Sequence, residues 1–126
     1  MANANFLEQF TEDVKSNIPG YIAVSVTEVA TGVCYVSHSN TDKFDPEIAS
    51  AYNLEVAKAK QSAIKALNLD AKIQDILITL TGQIHIIDLS ENGEYFIYLA
   101  VDSEKANLGM TRALLKKYKK DIIKEL

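Results

Sequence analysis

The hydrophobic residues of this chain recur with two periods, and the switches between them mark out eight elements. Over residues 5 to 18, NFLEQFTEDVKSNI, Phe6, Phe10, Val14 and Ile18 share one helical stripe, with Leu7 beside Phe10 and Val14. Asn5 stands where an N-cap is expected, with Glu8 three positions on as in a capping box. Pro19-Gly20 ends this helix, because proline lacks a backbone donor and disfavours helical geometry at Ile18. Two β-rich runs follow, YIAVSVTEV and VCYVSHS, around a glycine-containing turn, which predicts a hairpin. The polar loop SNTDKF leads into Asp45-Pro46-Glu47, a cap, a first-turn proline and an early acid, opening a helix that should run to about Asn68.

Period-two alternation then returns. IQDILITL, QIHIIDL and EYFIYLAV predict a meander joined at Thr81-Gly82 and at Glu91-Asn92-Gly93, where Asn-Gly is a strong hairpin signal. Asp102 or Ser103 is the expected cap of a last helix that continues to Leu126. Both faces of the meander are apolar. Ile76, Ile78 and Leu80 oppose Leu77, Ile84 and Ile86 oppose Ile87 and Leu89, and Ile97, Leu99 and Val101 oppose Phe96, Tyr98 and Ala100. A sheet wetted on one face shows polar alternation, so here helices must cover both, two on one side and one on the other. The expected order is α-β-β-α-β-β-β-α in one domain over residues 1–126, with no linker, low-complexity segment or repeat.

The middle helix carries more apolar surface than one contact needs. Ala49, Tyr52, Val56, Ala59, Ala63 and Leu67 make one stripe; Leu54, Ala57 and Ile64 make a second, well over a quarter turn away. One stripe is expected to meet the sheet and the other a partner, the alanines allowing close approach. The strand IQDILITL has no lysine or proline within Ile73–Leu80, the residues that keep a sheet edge from pairing with another chain. These features together predict a homodimer through Ala49, Tyr52, Val56, Ala59 and Ala63 of the helix and Ile76 and Ile78 of the strand.

Composition narrows the function. Hydrophobic residues at 48% suffice for a core, and a formal charge of −4 argues against a nucleic-acid binder. No apolar run approaches the roughly 20 residues that span a bilayer, and MANANFLEQF lacks the pattern of a secretory signal, so a cytoplasmic location is expected. No GxxxxGKS/T or GxGxxG is present, so nucleotide hydrolysis by the chain itself is not expected. His38, His85 and the single Cys34 form no ligand pair or nucleophile–base pair in sequence, so neither metal nor cofactor is expected. The run KKYKK suits a solvated helix face near the negative end of the dipole; Lys116, Lys117 and Lys120 are also candidates for docking an acidic partner or a membrane surface. In ANLGMTRALL, Asn107 and Arg112 are expected to dock the helix by satisfying backbone carbonyls or a carboxylate. Gly109, unfavourable in a helix, suggests tight packing against a neighbouring strand or the first helix.

IPGYIAVSVTEVATGVCYVS, DPEIASAYNLEVAKA, ILITLTGQIHIIDL and YFIYLAVDSEKANLGMTRALLKKY together resemble the roadblock / dynein light chain superfamily over nearly the whole chain. The resemblance rests on fold motifs rather than catalytic ones. It implies a profilin-like α/β sandwich with a five-stranded antiparallel sheet in the order 2-1-5-4-3, the middle helix on one face and the terminal helices on the other. It also implies dimerisation through the middle helix and third strand, and a non-catalytic role as a regulator of small Ras-like GTPases or a subunit of a signalling scaffold. A small-ligand sensor of PAS- or GAF-like architecture is the competing expectation, with Tyr21, Tyr95 and Tyr98 lining a pocket between sheet and helix.

Overall fold

The computed structural model describes residues 4–126; residues 1–3, the start of the segment read above for a secretory signal, lie outside it. The elements are α1 (Ala4–Asn17), β1 (Tyr21–Glu28), β2 (Cys34–Ser39), α2 (Pro46–Ala66), β3 (Asp75–Thr79), β4 (Gln83–Leu89), β5 (Tyr95–Asp102) and α3 (Leu108–Glu125). The five strands form one antiparallel sheet in the order β2-β1-β5-β4-β3. Helices α1 and α3 pack on one face and α2 on the other.

The period-two alternation decides which residue joins which core. Val24, Val26, Ile84, Ile86, Ile97 and Leu99 meet Phe10, Val14, Leu115 and Ile122 of the terminal helices. Their strand neighbours Ala23, Ile87, Leu89, Phe96, Tyr98 and Ala100 meet Leu54 and Ala57 of α2. Burying a large aliphatic or aromatic side chain contributes about 1.5–3 kcal/mol, so a sheet filled on both faces supplies most of the driving force. The chain closes where Gly20 turns from α1 into β1. Its carbonyl accepts from Asp102 N at 2.8 Å, its φ is +74°, and an added Cβ would lie 2.9 Å from Asp102 O. Only glycine fits there without displacing backbone.

Several helix ends differ from the sequence reading. Helix α1 begins at Ala4, so Asn5 lies inside its first turn rather than at the cap. Helix α2 is capped as expected: Asp45 Oδ1 accepts from Glu47 N and Ile48 N at 2.9 and 3.3 Å, with Pro46 in the first position. It ends two residues early, at Ala66, because Asn68 takes a left-handed conformation and Leu69 N bonds back to Ile64 O. Helix α3 starts later than Asp102 or Ser103 suggested. Asp102 still belongs to β5, and its Oδ1 accepts from Glu104 N, which closes a tight turn instead of a helix. The cap is Asn107, whose Oδ1 accepts from Met110 N at 3.1 Å.

Gly109 is also reassigned. It is exposed, and an added Cβ would meet nothing closer than Asn107 Oδ1 at 3.8 Å, so no neighbouring element packs tightly on it. Gly109→Ala is therefore expected to stabilise the fold by about 0.5–1 kcal/mol, read as a higher urea midpoint with an unchanged m-value. A destabilised variant would show that the bare backbone is needed.

Candidate interaction surfaces

Helix α2 lies over β1 and β2 and leaves the β3 side of its face less covered. The side chains it turns inward are Ser50, Asn53, Leu54 and Ala57; the Ser50 hydroxyl bonds that of Ser25 in β1, and Asn53 sits beside the Tyr98 hydroxyl. The side chains it turns outward are more apolar. Tyr52 is 73% exposed, Ile48 58% and Val56 40%. The helix therefore buries its more polar stripe, because those hydroxyl and amide groups find partners inside.

Between α2 and the start of β3 runs an open apolar groove of about 680 Å³. Val56, Ala59 and Lys60 form its helical wall, and Ile73 and Ile76 its strand wall. Of the residues expected at a dimer interface, the fold thus brings Val56, Ala59 and Ile76 onto one groove. Tyr52 lies exposed one turn from Val56. Ala49, Ala63 and Ile78 are half-buried, Ala49 and Ile78 against the α2-side core. Strand β3 pairs only with β4 among the described strands and ends the sheet, so its outer backbone groups face away from the other strands. Sequence reasoning missed Ile73 and Lys60 as lining residues: Ile73, read as the first residue of the strand, precedes β3, which runs only over Asp75–Thr79, and Lys60 sits within a polar stretch.

On the opposite face two ion pairs tie α3 to this same sheet edge. Asp75 and Asp88 are cross-strand partners on β3 and β4, pointing toward α3. Arg112 grips Asp75 through two bonds, Nε to Oδ2 at 2.9 Å and Nη2 to Oδ1 at 2.8 Å. Lys119 Nζ lies 2.6 Å from Asp88 Oδ1, with both side chains largely shielded from solvent. Burial pushes the Asp88 carboxyl above its ordinary range, and the Lys119 ammonium pulls it back. Lys119 was expected on the wet face with its neighbours; instead it is half-buried, because a buried carboxylate below it requires a cation. Lys116, Lys117 and Lys120 are exposed.

The remaining polar candidates are held within the fold. His38 Nδ1 and the Tyr21 hydroxyl are 2.6 Å apart, while His85 bonds Tyr98 and Gln83 and lies edge-on to Phe44. Cys34 Sγ reaches the Val36 carbonyl at 3.4 Å, and burial raises its pKa, which disfavours the nucleophilic thiolate. No three His, Cys, Asp or Glu side chains converge to hold a metal among the described residues. Tyr21 and Tyr95 belong to the α1/α3 side of the sheet and Tyr98 to the α2 side, so the three cannot line one pocket as the sensor reading required. Among the described residues no helix is long and apolar enough to cross a membrane.

This sheet order, with one helix on one face and two on the other, is the roadblock/LC7 fold, an α/β architecture of the profilin-like kind. Among solved structures, MglB of Myxococcus xanthus superposes with a TM-score of 0.75 at 13% identity, covering 95% of this chain and 90% of that one. A Roadblock/LC7 domain from Streptomyces avermitilis gives 0.71 at 10% identity over 98% of both chains. The gliding protein MglB from Thermus thermophilus gives 0.67 at 17% identity, covering 96% and 86%. No protein-family model and no curated protein matches the sequence.

Proposed function

We propose that this chain is a non-catalytic homodimeric interaction module that binds or regulates a small Ras-like GTPase or a signalling complex. The observation that carries the reading is the groove between α2 and β3: exposed Tyr52 and Val56 stand beside an edge strand with no protecting lysine or proline. An apolar helix face next to an open edge invites a second copy, whose β3 would extend the sheet while its α2 covers these side chains. Ala49, Ala59, Ala63, Ile76 and Ile78 complete the proposed interface. The likeness in fold to MglB, together with the roadblock resemblance of the sequence, supports a GTPase-linked role, and the composite surface of two protomers supplies a platform for it.

The partner half of this reading is tested by calorimetric titration of the chain against Ras-like GTPases of its own genome, each loaded with GDP or a non-hydrolysable GTP analogue. Binding that prefers one nucleotide state is the expected result. Absence of binding in both states across that set would remove the GTPase assignment while leaving the dimer to its own test.

A further inference from the structure

We infer that the recess between α3 and the β3–β4 edge is a docking site for an acidic peptide segment of a partner protein. Charge in this chain is segregated: α3 holds six of the 13 basic residues and only two of the 17 acidic ones. Arg112, Lys116, Lys119 and Lys120 recur on one face of α3 and line a recess of about 390 Å³ closed by the strand edge. Two of the four cations are committed, Arg112 to Asp75 and Lys119 to Asp88. Lys116 and Lys120 have no partner among the described residues, and they stand one helical turn apart, where like charges repel. An anion placed between them relieves that repulsion.

The recess selects the kind of anion. Asp75, Asp88 and Glu91 also face it, so a polyphosphate or nucleic-acid backbone would meet carboxylates along its length. A flat anionic bilayer reaches the outward lysines, Lys117 included, but does not enter a concavity. A glutamate or aspartate on a peptide can enter between Lys116 and Lys120, with the Gln74 amide as a further donor. Ile123 and the lysine stems offer an apolar wall to a neighbouring aliphatic side chain. This narrows the docking set expected from the run KKYKK: Lys117 does not line the recess, whereas Arg112 and Lys119 build it. The recess opens on the face opposite α2, and Gln74 and Asp75 at the β3 edge border both it and the groove proposed for the dimer.

The test is fluorescence anisotropy of the full chain with a fluorescein-labelled helical peptide carrying glutamates four residues apart and leucines between them. Wild type should bind saturably, and more weakly as salt rises. Lys116→Glu/Lys120→Glu should weaken binding by about tenfold or more, while Lys117→Glu changes it by less than about threefold. All three positions are exposed, so circular dichroism should show both variants folded. The proposal is overturned by no binding to wild type at millimolar peptide, or by an equal loss in Lys117→Glu. Phosphatidylserine vesicles that bind the chain and displace the peptide would overturn it in favour of a membrane.

Discussion

Lys119→Ala is expected to destabilise the protein by about 3–5 kcal/mol at neutral pH, a large fraction of what holds a domain of this size together. The loss comes from the group left behind rather than from the pair itself. Asp88 is 3% exposed, and without Lys119 its carboxylate loses its paired counter-charge while remaining largely buried. Arg112 is engaged by Asp75 and cannot take over. Replacing both partners, Asp88→Asn with Lys119→Met, removes the stranded charge and should recover stability to within about 1–2 kcal/mol of wild type.

The pH dependence separates this account from simple loss of packing. Burial raises the Asp88 pKa in the folded state, so the fold holds that proton more tightly than the unfolded chain does. The resulting contribution to stability is present below the unfolded value of about 3.9 and is lost as pH rises through the folded value. Without Lys119 the folded value moves higher still. The difference between Lys119→Ala and wild type should therefore be greatest near pH 7 and shrink toward pH 4 in urea titrations. A deficit that stays constant across that range would mean the lysine stem, not its charge, does the stabilising.

Tyr52→Glu is expected to convert a dimer into a folded monomer on mass-resolved chromatography. At 73% exposure the side chain contributes little to its own fold, so circular dichroism should be unchanged. Truncating a central aromatic at an interface costs roughly 2 kcal/mol or more, about 30-fold in Kd, and a buried carboxylate costs more. Lys58→Glu, at an exposed position outside the groove lining, should leave the dimer intact. Wild type that runs as a monomer at tens of micromolar would remove the dimer and with it the platform reading.

The tyrosine also shows where reading from the sequence reaches its limit. Two stripes on α2 were visible as spacing, and so was the excess of apolar surface. The larger stripe, with Tyr52 and Val56, was expected to meet a partner, and both residues are exposed; what spacing did not show was which residues complete the inward face. Ser50 and Asn53 do so by finding Ser25 and Tyr98, residues 25 and 45 positions away in sequence, as buried partners. The same limit governed α3. Lysine at 119 reads like its neighbours at 116, 117 and 120 until Asp88, on strand β4, is placed beneath it.

The chain by itself determined the eight elements, the two faces of the sheet and the residues lining each. Those follow from periods of 2 and 3.6, which are properties of local backbone geometry. Tertiary structure decided the Asn107 cap that precedes α3, the burial of Ser50 and Asn53 on α2, the Asp88–Lys119 and Asp75–Arg112 pairs and the groove beside β3. Each depends on contacts between residues far apart in sequence, and no local pattern encodes which of two comparable surfaces will find a partner.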